Sequence, residues 1–251
     1  MVFSWGFRRK VLYASTILVA AFLFVSFVWF QFFSAAPTCF DTRQNGDELG
    51  VDCSGSCALI CASQAKNPVV LWARVFQNGP KSYTAAAYIQ NNNGETAAKD
   101  VPYLFQLYDA DNKLVTEKSG TMDIPPVQTI PIIESNITVD TRVVSRVLFS
   151  FTDTPVWRQV PRGSVPHLRI VGQTLNPSAT RLDATIENSS LQDESRVTVI
   201  AVLFDSLGVA RAASKSTIPL LAHSSTEKVV FTWSKGATDI VRAEISVLPS
   251  F

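Results

Sequence analysis

The sequence predicts a mainly β protein with an N-terminal transmembrane α-helix, a small disulfide-rich module and two tandem antiparallel β-sandwiches. Three observations lead there. A charge-free apolar run extends from Val11 to Phe33, every cysteine falls between Cys39 and Cys61, and short alternating apolar segments recur from Val69 to the end. The composition is 47% hydrophobic with 22 basic against 21 acidic residues, which suits a folded chain and argues against disorder. Beyond Arg8, Arg9 and Lys10 there is no basic cluster, so nucleic acid is not an expected partner.

The apolar run comes first. At about 1.5 Å per residue it reaches the roughly 30 Å of a bilayer's hydrocarbon core. More than a dozen of its residues are Leu, Ile, Val or Phe, and their summed insertion preference is on the order of 5 kcal/mol. Arg8, Arg9 and Lys10 precede it and the first charge after it is Asp41, so the positive-inside rule places the N-terminus in the cytoplasm and exports the rest. Ser34-Ala35-Ala36 resembles a signal-cleavage site. The run is longer than a signal's apolar core and Pro37 would follow the cut, so a retained anchor is expected over a cleaved signal. No Asp, Glu, Lys, Arg or His lies within the run, and nothing in it suggests an ion path.

Pro37 to about Lys66 is short and polar and cannot bury enough apolar surface to hold itself together. Disulfides among Cys39, Cys53, Cys57 and Cys61 supply what a core would, typically about 2 to 4 kcal/mol each, and an exported compartment lets them persist. Four cysteines permit three pairings, and the spacing does not choose among them. A zinc site fits the spacing poorly, since Cys39 stands alone. Asp41, Asn45, Gly46, Asp47 and Asp52 fall at positions 1, 5, 6, 7 and 12 of a calcium loop, but Arg43 at position 3 and Asp at position 12 spoil the match. A solvated acidic turn cluster is the expectation, and no cofactor is assigned.

Cys39-x-Asp41, Asn45-Gly46-Asp47-Glu48, Gly50-Val51-Asp52-Cys53, Gly55-x-Cys57 and Cys61 together resemble a short cysteine-rich motif that recurs in bacterial cell-surface proteins. The likeness covers about 23 residues and departs at Thr42 and Ser54, where the motif carries glycine, and in one extra residue before Cys61. It implies an extracytoplasmic stalk and no particular chemistry.

The remaining chain reads as strands. Val69 to Phe76, Ser82 to Gln90, Val101 to Tyr108, Leu114 to Lys118, Gln128 to Ile133 and Val144 to Phe151 are rich in β-branched, aromatic and small apolar residues, with turn clusters between them. Val101, Tyr103, Phe105 and Leu107 alternate toward one face, and short strands at this spacing indicate a sandwich. The pattern then repeats. Leu107-Tyr108-Asp109 returns as Leu203-Phe204-Asp205, Arg146 to Phe151 returns as Arg242 to Val247 at the same offset, and Ala87 to Asn91 returns as Ala184 to Asn188 with one residue of slippage.

The expected organisation is a cytoplasmic tail at 1–10, the transmembrane helix at 11–33, a cysteine-rich stalk at 34–66, one sandwich at 67–153, a proline-stiffened linker at 154–166 and a second sandwich at 167–251. Such a linker predicts two copies standing as a semi-rigid rod. Phe105-Gln106-Leu107-Tyr108-Asp109 also resembles the signature of the bacterial FxLYD-type domain, of which the second copy keeps Leu203-Phe204-Asp205. That resemblance implies immunoglobulin-like sandwiches in exported, membrane-anchored proteins, and indicates fold without activity.

Reaction chemistry is sparse. His167 and His223 sit in no zinc or triad pattern, and Ser63-Gln64-Ala65-Lys66 matches S-x-x-K without the companion motifs of penicillin-recognising enzymes. Asn136-Ile137-Thr138 and Asn188-Ser189-Ser190 are glycosylation sequons. Trp72, Trp157 and Trp233 read as core residues before they read as a ligand platform. The expected function is therefore a non-enzymatic binding, adhesion or scaffold module, held in the cell membrane by its single helix and exposed to a protein or glycan partner in the envelope. An accessory subunit of a membrane-embedded secretion, transport or envelope-assembly complex is the alternative.

Overall fold

A computed structural model describes residues 5–33, 38–126, 128–140, 142–161, 167–234 and 239–249, with backbone alone for 31–33. Two compact units result, residues 1–56 and 57–251. The cleavage-like residues Ser34 to Pro37, and Arg162 to Pro166 of the expected linker, lie outside the described residues.

In the first unit, helix α1 runs Trp5–Phe33. The basic triplet expected as a tail is therefore helical, with the Arg9 guanidinium 3.9 Å over the Trp5 ring. Ser15 and Thr16 hydroxyls donate to the Leu12 carbonyl at 2.9 Å, so the helix absorbs its own polar groups, as hydrocarbon requires.

The second unit begins its regular structure with β1 (Val69–Gly79), β2 (Ser82–Gln90), β3 (Thr96–Tyr108), β4 (Leu114–Ile124), β5 (Thr129–Thr138), β6 (Arg146–Phe151) and β7 (Trp157–Gln159). One antiparallel sheet has the order β1-β2-β5 and the facing one β4-β3-β6, with β7 paired to the start of β3. Tyr83, Ala85, Ala87 and Ile89 of β2 meet Val101, Tyr103, Phe105 and Leu107 of β3 in a shared core. The period-2 alternation of these strands dictates which side chains enter it. Gly120 on β4 lies opposite Tyr103, whose hydroxyl donates to Glu134 at 2.6 Å. A Cβ at Gly120 would come within 2.5 Å of that hydroxyl, so the glycine makes room for the bond.

The second sandwich comprises β8 (Leu168–Leu175), β9 (Arg181–Asn188), β10 (Glu194–Asp205), β11 (Ala210–Leu221), β12 (Ser225–Thr232) and β13 (Ile240–Leu248). Its sheets, β8-β9-β12 and β11-β10-β13, follow the connectivity of β1-β2-β5 and β4-β3-β6 strand for strand. The equivalence reaches single hydrogen bonds. Asp109 Oδ1 accepts from the backbone N–H of Asp111 and Lys113, and Asp205 Oδ1 does the same from Leu207 and Val209. The left-handed turn residue is Asn112 in one copy and Gly208 in the other. A bulge early in β3 puts Asp100 at φ 49°, and early in β10 Arg196 holds φ 52° with the register unbroken. Buried Asn91 donates to the Thr96 and Pro125 carbonyls, as buried Asn188 does to those of Gln192 and Leu221.

The two copies do not stand end to end. The outward face of β1-β2-β5 packs on the outward face of β11-β10-β13, where Phe76, Ala86, Tyr88 and Ile133 meet Ile200, Val202, Phe204, Ala210 and Ala213 in a third buried core. Four sheets are thereby stacked, and the rod expected from the proline-rich connection is replaced by a double sandwich. Trp72 stacks on Tyr88 at 4.6 Å, and Tyr88 meets Phe204 edge-on at 6.3 Å. Around this seam the Tyr88 hydroxyl donates to Glu244, Lys215 Nζ to the Ile133 carbonyl at 3.0 Å and Ser234 Oγ to the Asn78 carbonyl at 2.6 Å. Burial, then the nearby Glu244 carboxylate, pushes the Tyr88 phenol well above its ordinary range.

Two boundaries also move. Trp157 to Gln159, read as linker, form β7, and Trp157 is buried in the first core. The end of the expected stalk is laced to the same sandwich: Ile60 N–H donates to the Trp157 carbonyl at 2.9 Å, Gln159 N–H to the Ala58 carbonyl at 2.7 Å and Lys66 N–H to Asn93 Oδ1 at 2.7 Å. Ala86 is fully buried in the seam, and its counterpart in the second copy is the exterior residue Asp183. An unpaired carboxylate there costs several kcal/mol. Ala86→Asp is expected to separate the seam while each sandwich stays folded. Calorimetry then resolves two unfolding transitions where the parent shows one.

Candidate functional site

Three features offer function: the apolar helix, the cysteine module and the clefts along the seam. The described apolar side chains of α1 are exposed save the half-buried Val28, with Phe22 71% and Leu18 70% accessible. The helix is long and apolar enough to cross a membrane, as a single-pass anchor does. A surface of this kind has no stable place in water.

Cys39, Cys53, Cys57 and Cys61 are all disulfide-bonded. Between Cys39 and Ser56 the acidic residues act as turn clamps. Asp52 accepts the N–H groups of Asp41 and Thr42 at 2.9 Å, Asp41 accepts those of Arg43 and the Asn45 side chain, and Glu48 accepts those of Asn45 and Asp52. The Asn45 bond, with the backbone N–H groups beyond it, holds the Asp41 carboxyl below the usual range. In the acidic turn cluster, Asp41, Asn45, Asp47 and Asp52 thus bond to the chain itself, Asp47 through Ser56 Oγ at 2.8 Å. Gly55, at φ +64°, is obligatory because a Cβ there would collide with the Asp47 carbonyl. Thr42 and Ser54, the positions at which the cysteine-rich motif carries glycine, hold left-handed φ of 60° and 61°. For β-branched Thr42 this conformation costs about 1–2 kcal/mol. Thr42→Gly is expected to raise stability by about 0.5–1 kcal/mol after the glycine's extra chain entropy is charged against it, as denaturant melts of the oxidised protein would show.

The residues singled out for chemistry are scattered. His223 Nδ1 lies 2.7 Å from Asp193 Oδ1 on the surface, and His223 N–H also donates to it, which keeps the Asp193 carboxyl below its ordinary range. His167 serves through its backbone, its carbonyl accepting from Ser189. Ser63 is exposed in a turn. Trp72 belongs to the seam, Trp157 to the first core and Trp233, stacked 6.5 Å from Phe231, to the second, so the three form no common platform. Asn188 is fully buried with its amide engaged, which closes that sequon in the folded chain, whereas Asn136 is exposed.

The seam was not anticipated, and it creates two clefts. One, about 470 Å3, runs past Lys99, Arg196 and Lys215 together with Asp100 and Asp123 over a floor of Ile132, Ile133 and Ile200. The other, about 440 Å3, lies where β1, the start of β6 and the start of β11 meet, and carries Arg74, Arg146 and Arg211. A sequence signal for the seam existed. Val197 to Phe204 is apolar at all but one position, and Ala85 to Ile89 at every one, where a strand buried on one face alone would alternate.

No family model matches the chain, and no curated protein matches it. Among solved structures it is similar to red sea bream transglutaminase, at 10% identity over 75% of this chain and 32% of that one, with a TM-score of 0.21. It is likewise similar to the C-terminal globular domain of an oligosaccharyltransferase from Pyrococcus abyssi, at 11% identity over 73% of this chain and 46% of that one, with a TM-score of 0.22. The chain thus spans less than half the length of either structure. What fold and site define is a double β-sandwich carrying a disulfide-bonded module and a membrane-spanning type of helix.

The β3–β4 and β10–β11 turns give a pH test. Asp205, 4% exposed, is held below the carboxylate range by the Val209 N–H and then by Arg211 at 2.7 Å. Its folded pKa is depressed, so its contribution is full above about pH 4 and disappears as the pH falls through the folded value. Asp205→Asn is expected to lower the melting temperature at neutral pH, and the gap from the parent to shrink as the solution is acidified below about pH 4.

Proposed function

We propose that the chain is a non-enzymatic, single-pass membrane protein whose double sandwich is presented outside the cytoplasm as a binding, adhesion or scaffold module of the cell envelope. The observation that carries this reading is the pairing of an apolar helix, none of whose described residues is buried, with sandwiches welded through a buried core. A head of that construction holds its outer faces at fixed separation, which suits presentation. Three features support the orientation: the basic Arg8, Arg9 and Lys10, the disulfides, which persist in oxidising compartments, and the likeness to bacterial cell-surface motifs. The FxLYD resemblance also supports the reading, and the aspartate in that pattern clamps the turn after the central strand in both copies.

The reading is tested with a membrane-impermeant maleimide on intact cells. Labelling of Cys39, Cys53, Cys57 and Cys61 only after mild reduction is the expected outcome. Free thiols that react only once the cells are opened would reverse the orientation and remove the envelope role. Crosslinking in native membranes separates an independent module from an accessory subunit, because the latter requires a stoichiometric membrane partner.

A further inference from the structure

We infer that the arginine cleft at the seam is a binding site for an oxyanion: a carboxylate, sulfate or phosphate group borne by a ligand. Its walls come from both sandwiches, so it exists only because the copies pack face to face. Arg74 sits on β1 between Trp72 and Phe76, two residues that pack into the seam. Arg146 opens β6, its guanidinium 5.0 Å over the Tyr108 ring. Arg211 comes from β11, where the buried Asp205 carboxylate fixes it at 2.7 Å.

The charge balance sets this cleft apart from its neighbour. The larger cleft offsets Lys99, Arg196 and Lys215 with Asp100 and Asp123 in its own lining. In the arginine cleft none of the described lining residues is acidic. Asp205 neutralises Arg211 from behind, while Arg74 and Arg146 form no ion pair among the described residues. Two uncompensated guanidinium groups and a third held rigid leave a positive potential that an anion relieves. Guanidinium donors form a planar fork matched to two oxygens of a carboxylate, sulfate or phosphate. Gln77 and Ser145 add neutral hydrogen-bonding side chains, and Phe76 and Val75 an apolar wall for the body of a ligand. A volume of about 440 Å3 lies within the roughly 300–1,000 Å3 of small-ligand sites.

The inference goes beyond the envelope reading and does not depend on which way the helix is oriented. The test uses the full chain in neutral detergent, titrated by calorimetry with sodium phosphate, sodium sulfate and sodium citrate at constant ionic strength against chloride. Saturable binding of at least one is expected, and which of the three binds tightest identifies the preferred oxyanion. Arg74→Gln with Arg146→Gln, both exposed, should weaken it at least about tenfold with an unchanged melt in chloride. Lys99→Gln with Arg196→Gln, in the other cleft, should leave it intact. No saturable binding of any of the three, or binding that the Arg74/Arg146 pair leaves unchanged, would overturn the assignment.

Discussion

The contact between Tyr88, Ala86 and Phe76 on one sandwich and Val202, Phe204 and Ala213 on the other is the interaction on which the arrangement of the large unit depends. It buries the second face of both β2 and β10. Each of these strands therefore serves two cores at once, with Ala85, Ala87 and Ile89 or Val197, Val199 and Ala201 turned inward and their neighbours turned into the seam. Burial of a large apolar side chain is worth roughly 1.5–3 kcal/mol, and several such groups meet here.

The seam is also directional, joining one kind of sheet from the first copy to the other kind from the second. Heterologous contacts of this sort propagate unless something stops them. The repeat shows what stops this one. On β9 the counterparts of Ala86 and Tyr88 are Asp183 and Thr185, and ion pairs of Arg181 with Asp183 and Arg169 with Glu187 keep that face polar. On β3 the counterpart of Val202 is Gln106, hydrogen-bonded at 2.7 Å to Glu117, itself the counterpart of Ala213. Desolvating such groups costs more than apolar contact returns, so neither outer face offers a second seam of this kind.

The cysteine module obeys a different constraint. Too short for a core, it satisfies its backbone through carboxylates that accept several N–H groups each, and its disulfides hold the turns closed. Left-handed residues at Thr42, Gly46, Asp52, Ser54 and Gly55 show how much of the segment is dictated by turning. Glycine supplies that freedom at two of the five. Hydrogen bonds offset the strain at Thr42 and Asp52, where the Thr42 N–H donates to the Asp52 carboxylate.

Taken alone, the sequence determined what depends on local pattern. The membrane-length helix follows from an unbroken apolar run. The strands follow from period-2 alternation, and the repeat from Leu-aromatic-Asp recurring with its flanking strands. The turn clamps at Asp109 and Asp205 follow from the preference of aspartate for backbone N–H groups two to four residues ahead. Only the tertiary structure decided the seam, the assignment of Trp157 to a strand of the first sandwich, and the meeting of Arg74, Arg146 and Arg211 in one cleft. Those depend on residues far apart in sequence brought together by sheet-on-sheet packing. A strand buried on both faces has lost the alternation that would reveal which apolar side chain faces which partner.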